Sequence, residues 1–422
     1  MAYDDRETGL TVEDRGSKLG LPQNQDAEAN VLAAMLLSPE VVEEAQVELQ
    51  PDDFYRPIHK TIYTAMVDMY NSRIPIDSIS LIDYLRSINK LDAVGGEAYI
   101  LELMGQTLSL VNWQHHAAIV RRDSMLRELI GATNEINALE QRLSRTIETS
   151  SVAQLNANGS AQLDDDTAAL LQAALQYSAE TGGTFDVTIA PLVELWNITG
   201  DDPCVPAQSE IDALLPLVGS GHVHLEGTAA ALDEGCAIDL GGIAKGYASD
   251  KVAELFAGSG ISGGFVSLGG NVYVHGVTAE GQPWSVAIQD PRNTEGFACM
   301  LRLSDAFVVT SGGYQRFFTG PDGTVYQHII DPATGYPVQS DLLSVSIVTR
   351  RDNGGTGTMA DAYSTALYVM GETAAVDFWR QHIAAFDMVL VTADGRLLYT
   401  PGLADCFNKT EGSGYDDQCL TA

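Results

Sequence analysis

The chain has 422 residues, enough for two or three domains with buried cores, and its 57 acidic against 23 basic residues give a formal net charge of −34. A field of that sign repels polyphosphate backbones, so direct nucleic-acid binding is excluded as a general activity. No uncharged apolar run approaches the roughly 18–20 residues of a spanning helix, and the start MAYDDRETGL has neither the basic flank nor the apolar stretch of a signal peptide. The chain as written is therefore expected to be cytoplasmic, with no membrane segment. Its five cysteines, Cys204, Cys236, Cys299, Cys406 and Cys419, are scattered and form no CxxC pair, which argues for reduced thiols rather than a disulfide framework or a zinc site.

In chain order, residues 1–21 read as a disordered tail. Residues 22–136 carry helical periodicity: Val31, Leu32, Met35 and Leu36 share one face, and Ile58, Ile62, Met66 and Met69 form another stripe. Breakers at Ser38-Pro39, Pro51, Pro75 and Gly95-Gly96 divide this stretch into five or six helices. Residues 137–162 read as a polar junction, and Asp164–Thr181 regains helical spacing. From about residue 183 onward, β-branched and aromatic runs (Gly264–Leu268, Trp284–Gln289, Phe307–Thr310, Leu343–Val348) alternate with glycine-rich turns. The expected architecture is multidomain: an all-α helical bundle, then an α+β domain over 163–400, then a C-terminal tail over 401–422.

The helical segment resembles a specific family. Pro22-Gln23-Asn24-Gln25-Asp26-Ala27-Glu28, Phe54-Tyr55-Arg56-Pro57-Ile58-His59 and Leu91-Asp92-Ala93-Val94-Gly95-Gly96 look like the N-terminal domain of DnaB-type replicative helicases, and the pattern continues from Asn112 to Ile136. That resemblance implies self-association and contacts with replication proteins. It does not imply a motor, because the chain has no GxxxxGK[ST] phosphate loop.

Three later constellations could carry chemistry. In Ile238-Asp239-Leu240-Gly241-Gly242-Ile243-Ala244-Lys245-Gly246-Tyr247, a carboxylate closes an extended segment and a lysine opens a helix whose free N–H groups favour anions, as a phosphorylated ligand needs; an ordinary glycine turn with a solvated lysine reads the same way. In Met359-Ala360-Asp361-Ala362-Tyr363-Ser364-Thr365, the oxygens of Asp361 and Thr365 lie one helical turn apart, which suits a magnesium shell completed by phosphate oxygens. The competing reading makes Asp361 a helix N-cap and leaves Thr365 facing the core. In Tyr326–Gly335 an apolar strand ends in a Pro/Gly turn, and His328 is either structural or the natural base for a hydroxyl.

Taken collinearly, GGTFDVTIAPLVELW (182–196), DLGGIAKGYASD (239–250), VSLGGN (266–271), TSGGYQRF (310–317), HIIDPATGYP (328–337) and MADAYSTAL (359–367) resemble ApbE-type FAD:protein FMN transferases, over about 139–398. The resemblance implies an enzyme that cleaves FAD at its pyrophosphate, releases AMP and joins FMN to a Ser/Thr hydroxyl. The acceptor flavoprotein would carry an Asp-x-x-Ser/Thr-Gly-Ala-Ser/Thr segment. By the same resemblance, Asp361, Thr365 and the backbone carbonyl of Gly242 would bind Mg2+. Thr184, Phe185, Asp186, Asp239 and Lys245 would contact FAD, and His328 and Lys245 would be catalytic. Family members normally begin with a Met-Gly-Thr strand and a long helix ahead of the Leu-Ser motif, here Leu143-Ser144. This chain has the helicase-like bundle instead, so part of the flavin pocket is expected to be missing. The alternative is a non-catalytic oligomerisation or replication-protein binding module with an inert flavin domain. The family is usually exported or lipid-anchored, and neither signal is expected here. Gly258–Gly263 matches GxGxxG only as a helix-to-strand loop.

Overall fold

Proline spacing and capping side chains set the first helices. In the computed structural model, which describes residues 20–106, 112–321 and 323–422, they are α1 (Gln25–Leu37), α2 (Pro39–Glu48), α3 (Pro57–Asn71), α4 (Ser78–Ser87), α5 (Gly96–Gln106) and α6 (Trp113–Leu143). The tail expected over 1–21 lies almost wholly outside the described residues. Asn24 caps α1 by accepting from the Ala27 amide at 2.9 Å, Asp77 caps α4 through the Ser80 amide at 2.8 Å, and Pro39 and Pro57 open α2 and α3. Val31, Leu32 and Met35 of α1 meet Ile62, Met66 and Met69 of α3 in one core, each contributing roughly 1.5–3 kcal/mol of burial. Within it, His59 is fully buried between Glu28 Oε2 (2.6 Å) and the Tyr99 hydroxyl (2.5 Å), so its polar atoms are satisfied inside the core.

The chain divides into two compact units at Thr133/Asn134, inside α6. The second unit continues with α7 (Ser151–Asn158), β1 (Ser160–Gln162), α8 (Asp165–Glu180), α9 (Ala190–Trp196), α10 (Gln208–Leu214), β2 (Val223–Glu226), β3 (Ala229–Leu232) and α11 (Ala244–Gly258). There follow β4 (Gly263–Leu268), β5 (Asn271–Gly276), β6 (Trp284–Asp290), β7 (Asn293–Leu303), β8 (Ala306–Gly312), β9 (Phe317–Thr319), β10 (Val325–Gln327) and β11 (Leu342–Arg350). The last elements are α12 (Gly357–Gln381), broken at Gly371 where φ is +75°, then β12 (Asp387–Thr392), β13 (Arg396–Tyr399), β14 (Phe407–Lys409) and β15 (Asp416–Cys419).

A seven-stranded sheet in the order β15-β13-β12-β11-β8-β5-β4 forms the centre, antiparallel except for the β13–β15 pair. Its central strands β8, β11 and β12 are buried on both faces, and alternate residues part company: Val309, Val345, Ile347, Met388 and Leu390 face α11 and α12, while Val308, Val348, Val389 and Val391 face the β14-β7-β6 sheet. The result is three layers: helices, large sheet, small sheet. No helix among the described residues is long and apolar enough to cross a membrane.

Two expectations need correction. Residues 137–162, expected as a polar junction in which the transferase resemblance starts, hold no linker: Leu139, Leu143, Val152 and Leu155 are buried in the main core, at helical spacings that the surrounding polar residues obscured. Residues 401–422 are not a tail either, since β14 pairs with β7, β15 pairs with β13, and Leu403 and Tyr415 are buried beneath them.

Candidate active site

The site is assembled where the loop leading into α11 meets the first turns of α12. The Asp239 amide donates to the Val187 carbonyl at 2.7 Å, tying the Gly183–Thr188 loop to the glycine turn. Asp239 Oδ1 accepts from the Gly241 amide at 2.7 Å and Oδ2 from Arg145 Nε at 2.8 Å, so the carboxylate stiffens the turn from both sides. Gly242 sits in a cradle that a side chain would fill. A Cβ there would stand 3.3 Å from the buried Phe185 ring and 3.8 Å from Thr365 Oγ1.

Helices α11 and α12 cross at Gly246, where a Cβ would lie 2.2 Å from the Gly357 carbonyl oxygen and 2.7 Å from Asp361 Cβ. That close approach lets the Gly246 amide donate to Asp361 Oδ2 at 2.8 Å, while Lys245 Nζ lies 3.6 Å from Asp361 Oδ1 and 3.1 Å from the Gly241 carbonyl. Asp361 is 3% exposed. It is not the helix cap: Thr356 has that position, accepting from the Met359 amide. Asp250 binds the α12 N-terminus as well, accepting from the amides of Gly357 (2.6 Å) and Thr358 (2.9 Å). Thr365 Oγ1 lies 3.2 Å from Ser311 Oγ, which in turn lies 2.9 Å from Ser364 Oγ, so Thr365 faces a hydroxyl cluster rather than an apolar core.

His328 follows β10 instead of lying within a longer strand; its amide donates to the Arg316 carbonyl at 3.0 Å, and its Nδ1 is buried without a hydrogen-bond partner. Burial above all, then the charges of Arg316 and Lys245, push the imidazole pKa down to about 4. It is neutral at physiological pH with a nitrogen to spare.

The structure thus brings Gly242, Lys245, Asp361 and Thr365 together, with Phe185 against Gly242 and His328 within electrostatic reach of Lys245. It does not leave Asp186 free. That carboxylate accepts from Thr188 N (2.9 Å), Thr188 Oγ1 (2.6 Å), Ser178 Oγ (3.1 Å) and Ser220 N (2.9 Å), so it orders its own loop, and Thr184 Oγ1 donates to the Thr181 carbonyl at 3.0 Å. The roles of Arg145 and Asp250 were not legible in the sequence, because each acts on a residue about a hundred positions away. Among the described residues no three His, Cys, Asp or Glu side chains converge as a metal cage. One carboxylate, one hydroxyl and a main-chain carbonyl are nonetheless the hard oxygen donors that Mg2+ accepts when a ligand supplies the rest, and the side-chain-free cradle at Gly242 fits that group.

Residues 104–389 match the profile of the ApbE family, and residues 20–122 match that of the DnaB-like helicase N terminal domain. The chain is 34% identical over 302 residues to the FAD:protein FMN transferase of Treponema pallidum (strain Nichols), covering 66% of this chain and 82% of that one. A solved structure of the ApbE protein from Thermotoga maritima superposes with a TM-score of 0.58 at 31% identity, over 67% of this chain and 89% of that chain. The Pseudomonas stutzeri flavinyl transferase ApbE, in its apo form, gives a TM-score of 0.56 at 28% identity, over 63% and 84% respectively. The two profile matches overlap over 104–122, and the first begins well ahead of the boundary expected near Leu139. The long helix that family members carry before the Leu-Ser motif, expected from the sequence to be replaced by the bundle, is present as α6, whereas no strand precedes β1 among the described residues.

Proposed function

The chain belongs to the ApbE family, and from that premise we propose that it is an FAD:protein FMN transferase that uses Mg2+, modifies a Ser or Thr hydroxyl of an acceptor flavoprotein and releases AMP. The observation that carries this reading is the meeting of Lys245 and Asp361, 3.6 Å apart at the crossing of two helices, with a neutral, unpartnered His328 under the influence of the same lysine.

In the reaction the acceptor oxygen forms a bond to the FMN phosphorus of FAD. The bond from that phosphorus to the bridging oxygen breaks, and AMP departs with the bridging oxygen. His328 Nδ1 takes the proton from the attacking hydroxyl, a task for which its lowered pKa keeps it deprotonated. Lys245 sets a positive charge against the phosphates at the positive, N-terminal end of α11. Phe185 walls the cradle at Gly242, and Asp239, fixed by Arg145, holds the glycine turn in shape. Asp361, Thr365 and the Gly242 carbonyl would hold Mg2+, which when bound neutralises charge developing on the pyrophosphate.

Incubation with FAD, Mg2+ and a flavoprotein domain carrying the Asp-x-x-Ser/Thr-Gly-Ala-Ser/Thr segment is expected to give in-gel flavin fluorescence and a mass gain of one FMN. Asp361→Asn is expected to abolish labelling while retaining the fold, since the amide oxygen still accepts from Gly246 but the charge is gone. A folded wild-type protein that never labels a competent acceptor overturns the reading. We also propose that the helical unit self-associates, on the strength of its match to the DnaB-like helicase N terminal domain; light scattering that returns a monomer mass at every concentration rejects this.

A further inference from the structure

The central sheet ends in two unlike edges. β15 (Asp416–Cys419) presents Asp416 and Asp417, and Asp417 is paired with Lys409. Charges of this kind are what natural proteins place on an edge to refuse further strands. β4 (Gly263–Leu268) is guarded by nothing comparable. It pairs with β5 in an unbroken register from Gly263↔Gly276 to Leu268↔Asn271, and among the described residues no strand lies on its other side. It has no proline and no bulge. In a chain with 80 charged residues by type, the stretch 255–279 holds no Asp, Glu, Lys or Arg at all. Midway along the strand Phe265 is 61% exposed, with its ring centroid 5.5 Å from that of Trp284.

This edge also leads to the site. Immediately after β4 the chain turns at Gly269 (φ +57°), where a Cβ would stand 3.8 Å from Lys245 Cδ. A chain laid along β4 therefore has one end at the lysine next to Asp361. Resting on the reading of the protein as an FMN transferase, we propose that the open edge of β4 is the acceptor's docking strand. An extended stretch of the acceptor adds to the sheet through its backbone, with Phe265 and Trp284 as apolar anchor, and its hydroxyl-bearing residue passes Gly269 to reach Lys245 and His328. Strand addition suits this chemistry because main-chain pairing holds a segment in register whatever the side chains that flank its motif. An uncharged edge also spares an incoming segment the repulsion that most of this acidic surface would exert. Pairing of two β4 edges across a two-fold axis would bring no hydroxyl to the site.

The test uses Phe265→Lys, an exposed substitution of the kind that blocks edge pairing. Labelling of the same acceptor domain should show a KM raised at least about tenfold with FAD affinity unchanged, and amide exchange over 263–268 should slow when the domain is added to the wild type. A wild type that labels the acceptor, with Phe265→Lys of equal KM and no amide protection, overturns the docking edge and leaves the transferase reading standing. A wild type that binds FAD but labels nothing removes both. Protection that grows with enzyme concentration alone gives the edge to a second copy and overturns the proposal.

Discussion

His328, the proposed base, illustrates how its surroundings set a side chain's protonation state. Three influences disfavour its charged form: burial, Arg316 and Lys245. Only the backbone bond to Arg316 opposes them. An ordinary histidine titrates near 6.5; this one does so at about 4. The sign follows directly. Above about 4 the free enzyme keeps a proton acceptor, so kcat/KM for acceptor labelling should stay level as the pH falls from 7 to 5 and drop only toward 4. His328→Gln should lower the rate by about 10²–10⁴ and abolish that acid limb. An acid limb near 6.5, or a Gln variant of full activity, would remove His328 as the base. The same shift lowers stability in acid, because the unfolded chain takes up its proton from about pH 6.5 downward while the folded one does not. Asp186 gives the opposite lesson. Its motif suggested a ligand contact, yet four internal donors occupy it, and no sequence pattern announces that Ser220, 34 positions on, will be one of them.

The two helices that carry the site depend on a single glycine. Gly246→Ala would press a methyl against the Gly357 carbonyl oxygen at 2.2 Å, and that oxygen is backbone, unable to swing aside. The crossing must widen, which is expected to cost about 1–3 kcal/mol and to carry Asp361 away from the Gly246 amide and Lys245. Denaturant melts and acceptor labelling should both show the loss. Gly131→Ala supplies the contrast: exposed on α6 with nothing within 4 Å of a Cβ, it should raise stability by about 0.5–1 kcal/mol and leave labelling unchanged. Equal behaviour of the two variants would refute the crossing argument. Elements of this scale were legible where periodicity and composition agreed. The run 264–268 became β4, 307–310 the middle of β8, and 359–367 the start of α12. What was not legible depended on distance. The polar run 137–162 hid Val152 and Leu155 because their burial is decided by helices elsewhere in the chain, and β15 has four exposed residues whose only claim to be a strand is the neighbour β13. Likewise Asp361 and Thr365 could be seen to share a helix face, but not that Ser311 would stand beside Thr365.

The net charge of −34 acts on the molecule as a whole. On the proposed reading, a polyanionic enzyme that takes a pyrophosphate ligand works against its own long-range field and must recover the attraction locally, at Lys245 on the first turn of α11 and through the proposed Mg2+. The two ranges separate by screening. At about 10 mM salt the Debye length is near 30 Å, so most of the acidic surface is felt by an approaching FAD; at about 0.15 M it is near 8 Å, and only the immediate surroundings count. Repulsion from the surface fades over that interval, whereas Lys245, 3.6 Å from Asp361 Oδ1 in the site, acts over contact distances shorter than either Debye length. With Mg2+ held fixed, the association rate for FAD should therefore rise and its KM should fall as salt increases from about 10 to about 150 mM, the reverse of the loss expected for an anion steered into a basic cleft. Stopped-flow quenching of flavin fluorescence measures this directly. A rate that falls with salt would mean that the local cations govern the approach as well as the capture, and that the acidic exterior plays no part in how the substrate arrives.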